Sequence, residues 1–298
     1  MRIAIAGLAS SHPFTDARIL SRRAELVVYD DEPARVARFV SEHPQARVVP
    51  NVSGLLDARP DGVVLTVPTP QAAPVLAEFL DRDLPCFVNK PAAATSAQLA
   101  AIDLAISRAP HRVLSTSVLR FSPAFRSFTV DPEDVMAAQV IVRHDVTRWA
   151  KGHNPWQDDP AIGGGMLVTM GVHGIELLVA LLGTDVRTVS ATAATRRYTT
   201  LASEDTAVVA LRWAGGTPAS VTFIGASDAE SYEVIMHTAS GDRRVVIEGG
   251  DEPEVALGYR GTLEGFLSMV DGAPSPVPWS QTHAVLSALV HARELSLA

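Results

Sequence analysis

Short apolar runs alternate with stretches of helical period from the N-terminus to about residue 120. RIAIAG, ELVVYD, RVVP, GVVLTV, CFVNK and RVLSTSVL are the runs, and TDARILSRR, ARVARFVSEH, APVLAEFLDRD and TSAQLAAIDLAISRA lie between them. That alternation predicts a parallel sheet with crossover helices, because parallel neighbours cannot be joined by a tight turn. At Phe128-Thr129-Val130-Asp131-Pro132 the rhythm changes. AAQVIVRHDV, RTVSATAATR, DTAVVALRWA, ASVTFIGA, YEVIMHTA and RRVVIEG follow, with GDRR and WAGGTP as the clearest turns, so the second half is expected to hold a mostly antiparallel sheet. TLEGFLSMV and THAVLSALVHAREL, on either side of the proline-rich SPVPW, predict two closing helices.

The chain has 298 residues, 47% hydrophobic and 19% charged, enough to bury two cores. Lys+Arg number 25 against Asp+Glu 33, a formal net charge of -8, which argues against a phosphate-tracking surface and against nucleic acid as a partner. A single cysteine, Cys86, leaves no internal disulfide and no cysteine-rich metal cage. The apolar run in MRIAIAGLASSHPF is too short for a secretory signal, and no stretch reaches about 18 uninterrupted apolar residues. The expectation is a soluble cytoplasmic protein without a membrane partner.

Gly7, Ala9, Ser10, Ser11 and His12 stand where a dinucleotide fold places its first strand, tight turn and helix N-terminus. Of the G-x-G-x-x-G glycines that bring the backbone close to a pyrophosphate, only Gly7 matches; Ser10, Ser11 and His12 offer side-chain donors instead. Asp30 ends the second run roughly 20 residues past the first glycine, where a carboxylate accepts from an adenosine 2′-hydroxyl and repels a 2′-phosphate. That favours NAD over NADP; the alternative is that Asp30 or Asp31 caps the helix entering at Glu32-Pro33.

The fourth run ends at Thr66-Val67-Pro68-Thr69-Pro70, read as an extended loop whose threonines and carbonyls face the ligand crevice. The fifth delivers Asn89-Lys90-Pro91 to the same edge, because the carboxyl ends of parallel strands face one side. Lys90 is therefore expected in the crevice. Gly163-Gly164-Gly165 opens a helix on which Thr169 and His173, four apart, share a face; taken alone, a histidine in such an apolar helix is more often a satisfied core residue. Trp149, Lys151, His153, Trp156 and Asp158 form a polar and aromatic loop just before the glycines. No histidine or carboxylate spacing supports a metal site.

Together these residues resemble the Gfo/Idh/MocA family of nicotinamide-dependent oxidoreductases over nearly the whole chain, with Asn89-Lys90-Pro91, Arg120-Phe121-Ser122-Pro123 and the glycine helix ending at His173 carrying the likeness. The resemblance implies an α/β fold: a Rossmann dinucleotide-binding domain at 1–122 and an α+β substrate-binding and oligomerisation domain at 123–298. The second domain would have an open-faced, mostly antiparallel sheet, with the last helix able to pack back on the first domain. It implies NAD(P) held by Gly7, Ala9, Ser10, Ser11, His12, Asp30, Thr66, Pro68, Thr69, Asn89 and Lys90. A sugar, cyclitol or related polyol or ketone would lie against Arg120, Trp156, Asp158 and Thr169, and the chain would form a homo-oligomer, a dimer or tetramer. His173 is the leading acid/base, with Lys90 holding the carbinol oxygen and able to share the proton work if burial lowers its pKa. Asn89 replaces the family glutamate, Ala72 a frequent histidine and Thr169 the helix aspartate. These departures keep two further readings open: a catalytically impaired NAD- or sugar-binding homologue, and a lyase in which bound NAD is transiently reduced.

Overall fold

The computed structural model describes residues 1–297. The chain begins with β1 (Arg2–Ala6), α1 (His12–Leu20), β2 (Glu25–Tyr29), α2 (Pro33–Glu42), β3 (Arg47–Val48) and α3 (Val52–Asp57), then β4 (Gly62–Leu65), α4 (Thr69–Leu80), β5 (Cys86–Val88), α5 (Ser96–Ile106) and β6 (Val113–Leu114). These strands lie in the order β3-β2-β1-β4-β5-β6, and every pair is parallel. The order reverses between β1 and β4, which opens a crevice at their carboxyl ends. Period-two alternation divides β1 between two cores. Ile3 and Ile5 pack with Phe14, Phe39 and Phe87, whereas Ala4 and Ala6 face Leu76, Phe79 and Ile102.

The chain then passes through α6 (Pro123–Arg126), β7 (Val135–Asp145), α7 (Thr147–Ala150), α8 (Pro155–Asp158), α9 (Gly165–Leu182), β8 (Val186–Ala194) and β9 (Thr206–Trp213). It closes with β10 (Pro218–Ile224), β11 (Ala226–Thr238), β12 (Gly241–Glu248), α10 (Pro253–Ala256), α11 (Tyr259–Val270) and α12 (Trp279–Leu297). The second sheet runs β12-β11-β7-β10-β9-β8. Its pairs are antiparallel except β7 with β10. The exception follows from connectivity: α9 is a crossover that delivers β8 parallel to β7, and two antiparallel steps leave β10 in the β7 direction. The outer face of this sheet exposes Met136, Val189, Val208 and Val246.

Three features differ from the sequence reading. The Thr69-Pro70 segment is the first turn of α4 rather than a loop, since proline there removes an N–H that has no helical partner anyway. α3, with Asn51 Oδ1 accepting from Gly54 N at 2.8 Å, was too short to show a helical period. α11 lies against the first sheet, where Leu263, Phe266 and Leu267 join the core of Ile3, Ile5 and Phe87. α9 is long and apolar enough to cross a membrane by composition, yet most of it is buried in the second core.

Candidate active site

The tight turn after β1 closes onto the end of β4. Gly7 has φ +90, and a Cβ there would lie 2.4 Å from the Thr66 carbonyl oxygen, so any side chain would clash. Ala9 N donates to that same carbonyl at 3.0 Å. Asp30 holds the turn from the other side: one oxygen accepts from Leu8 N at 2.5 Å and the other from Glu32 N at 2.8 Å, with Arg35 3.5 Å away. Asp30 thus braces the turn and the entry to α2 without being its N-cap, which is Glu32. Burial raises its pKa, opposed by those backbone bonds. A hollow here is lined by Gly7, Asp30, Asp31, Pro68 and Gln71.

On the far side of the turn a larger cleft opens between the domains. Ser10, Ser11 and His12 line it from the turn, Lys90 from the end of β5, Thr169 and His173 from α9, Arg148 from α7, Glu230 and Tyr232 from β11, and Tyr259 from the start of α11. Two glycines make the α9 contribution possible. Gly164 and Gly165 both have positive φ, and a Cβ on Gly165 would lie 2.7 Å from Ser203 Cβ. The freed helix start is capped by Ser203 Oγ on Met166 N at 3.1 Å and by the Glu204 carboxylate on Leu167 N at 2.5 Å. One turn further on, the Thr169 carbonyl accepts from Lys90 Nζ at 3.0 Å, while its own hydroxyl finds no partner among the described residues. His173 Nδ1 and Ser117 Oγ are 2.7 Å apart, and the His173 ring packs 5.3 Å from that of Tyr232.

Burial dominates the electrostatics of this cleft. It brings Lys90 down to about 7, helped by the neighbouring Arg148 charge and opposed by Glu230. His12 is pushed down to about 3, and His173 falls well below the ordinary imidazole value, again mainly by burial and then by the charge of Lys90. The imidazoles of His12 and His173 are therefore neutral at pH 7, and Lys90 is the group that titrates there. The sequence reading put the proton work first on His173, with Lys90 able to share it if burial lowered its pKa, and burial acts on Lys90 in that direction.

Several expected residues lie elsewhere. Asp158 does not line the cleft: its oxygens accept from Ala202 N at 2.8 Å and from Ser203 N and Oγ at 3.0 and 2.6 Å, so it holds the loop that caps α9. Arg120 pairs with the buried Glu176 at 3.1 Å and donates to Gln281, which ties the domains together away from the cleft. Trp156 donates its Nε1 to the Ala9 carbonyl at 3.0 Å, covering the turn. Asn89 donates to Thr66 Oγ1 and sits 3.5 Å from the buried Asp16, whose pKa burial raises to about 7. Thr69 donates to the Ile162 carbonyl at 2.6 Å. Each of these partners is far away in sequence, so no local pattern showed them. Arg148, Glu230, Tyr232 and Tyr259 were missed as cleft residues, and Ser117 as the buried partner of His173; only Arg148 had a signal, as a neighbour of the aromatic loop.

Residues 134–249 match the family model described as GFO/IDH/MocA C-terminal domain. No curated protein matches the sequence. Solved structures similar to the whole chain include GenD2 from gentamicin A biosynthesis in complex with NAD, with TM-score 0.83 at 18% identity, covering 100% of this chain and 94% of that one. A myo-inositol dehydrogenase from Corynebacterium glutamicum gives 0.80 at 17%, covering 100% and 96%. A myo-inositol 2-dehydrogenase from Lactobacillus plantarum gives 0.83 at 15%, covering 100% and 97%. At these identities the likeness establishes the fold.

The second half of the chain closes one wall of the cleft, and the carboxyl edge of the parallel sheet forms the other. Two hollows open along that edge, one at Asp30 and one at Lys90, on either side of the turn at residues 7–12. The Asp30 oxygens keep lone-pair capacity beyond their two backbone donors.

Proposed function

We propose that this chain is an NAD-linked oxidoreductase acting on a secondary alcohol or ketone of a sugar, cyclitol or related polyol. The observation that carries the reading is the convergence of Lys90, Thr169 and His173 in the cleft at the carboxyl edge of the parallel sheet, beside the turn at residues 7–12. The similarity in fold to GenD2 and to the inositol dehydrogenases supports it. When bound, the dinucleotide supplies the hydride acceptor. The protein supplies the rest. Neutral Lys90 takes the carbinol proton, the free hydroxyl of Thr169 orients a substrate oxygen, and neutral His173 offers a hydrogen bond fixed by Ser117 at its other nitrogen. We also read the exposed apolar face of the second sheet as the surface on which another copy packs, a proposal that light scattering of the purified protein checks.

Titration with NADH and NADPH, followed by nicotinamide fluorescence and thermal stabilisation, is expected to show tighter NADH binding, because Asp30 and Asp31 flank the ribose side and both Asp30 and Glu32 engage Arg35. Binding without turnover on any polyol would leave a binding protein, and no binding of either would defeat the proposal. Ser117→Ala is expected to lower kcat about tenfold with KM nearly unchanged, since it releases the His173 ring without removing it. A Ser117→Thr variant, which keeps the hydroxyl, should recover most of that loss; equal loss in both would make Ser117 a packing residue.

A further inference from the structure

The ionisable groups of the cleft are out of balance. Arg148 and Lys90 enter it, yet no carboxylate among the described residues lies within 4.0 Å of either. The one carboxylate lining the cleft, Glu230, accepts from Tyr232 OH at 2.6 Å and stands 3.9 Å from His144 Nε2. The chain as a whole carries -8, so this local excess of cations opposes the overall charge. Arg148 is also held in place. Its guanidinium lies 4.0 Å over the Trp149 ring, and that indole is anchored by Nε1 donating to Gln157 Oε1 at 2.9 Å. Apart from Ser11 Oγ at 3.5 Å, the planar fork faces the cleft without an acceptor. A stacked, pre-organised guanidinium suits bidentate recognition of a carboxylate at small entropic cost.

We infer that the substrate is a carboxylate-bearing polyol, such as a sugar acid, whose anionic group is received by Arg148 while its carbinol lies at Lys90. The inference rests on the oxidoreductase reading and narrows it. It also accounts for the closeness of two cations that disfavour each other: a bound carboxylate would compensate the charge of Arg148.

The test compares D-gluconate and D-glucuronate with myo-inositol and D-glucose, on the wild type and on Arg148→Gln and Arg148→Lys. The wild type is expected to prefer the carboxylates in kcat/KM. Arg148→Gln should reduce that preference about 10- to 100-fold, the range of a lost charge-assisted pair. Arg148→Lys, which keeps the charge but loses the fork, should fall between, with the NADH Kd unchanged in both variants. Equal use of neutral and acidic polyols by the wild type would overturn the inference. So would a weakened NADH Kd with unaltered discrimination, which would give Arg148 to the pyrophosphate. Calorimetric titration of gluconate into the protein separates this question from the redox reading. Binding that Arg148→Gln abolishes supports an anion site even if no alcohol is turned over, and absence of binding in the wild type with and without NADH sinks it.

Discussion

Lys90→Met is expected to lower turnover by about 10²- to 10⁴-fold, the usual worth of a positioned acid or base, while the melting temperature stays at or above that of the wild type. The side chain is half-buried, has no carboxylate partner and donates one bond, to the Thr169 carbonyl. Methionine fills a similar volume without the cost of desolvating an ammonium. The pH dependence has a definite sign. With Lys90 at about 7, alcohol oxidation needs the neutral amine and rises as pH passes upward through 7; ketone reduction needs the ammonium and falls over the same range. Both slopes should flatten in the variant. Stability follows the same group. Its native value lies below the ordinary 10.5, so the penalty of burying it is complete below about pH 7 and fades as pH rises toward the unfolded value. The stability gained by Lys90→Met should accordingly be largest on the acid side. Steady-state rates in both directions and melting curves on either side of pH 7 check this; a variant oxidising within a few-fold of the wild type would remove Lys90 from the chemistry.

Arg293→Ala should cost about 3–5 kcal/mol of stability, the range for removing one partner of a buried ion pair. Arg293 Nη1 lies 2.5 Å from Glu204 Oε2, and the side chains are only 8% and 6% exposed. The other oxygen of Glu204 caps Leu167 N, so the pair joins α12 to the start of the helix that carries Thr169 and His173. Without the arginine, a carboxylate is left buried against a helix N-terminus, which the helix dipole offsets only in part. A double variant, Arg293→Met with Glu204→Gln, should lose less than Arg293→Ala alone, because the amide oxygen still caps Leu167 and no charge is stranded. Urea unfolding distinguishes the cases, and a loss below about 1 kcal/mol for Arg293→Ala would show that water or the dipole carries the carboxylate.

The difference between what could and could not be read in advance is plain at Asp158 and Lys90. Both were expected at the ligand. Lys90 ends a strand of a parallel sheet, and strand direction alone puts that end on the ligand edge. Asp158 ends the one-turn helix α8, and its acceptor role is determined by Ala202 and Ser203, which no spacing near Asp158 reveals. Ser117 beside His173 and Arg120 on Glu176 show the same dependence on distant partners.

Periodicity and strand polarity, which are properties of neighbouring residues, determined the two sheets, the glycine-opened helix with Thr169 and His173 on one face, and the edge at which Lys90 emerges. Tertiary structure alone decided which carboxylates are consumed in holding the fold and that Arg148 is left without one. It also decided that burial lowers the pKa of both Lys90 and His173, because burial and the field at such a group sum over side chains brought together from the whole length of the chain.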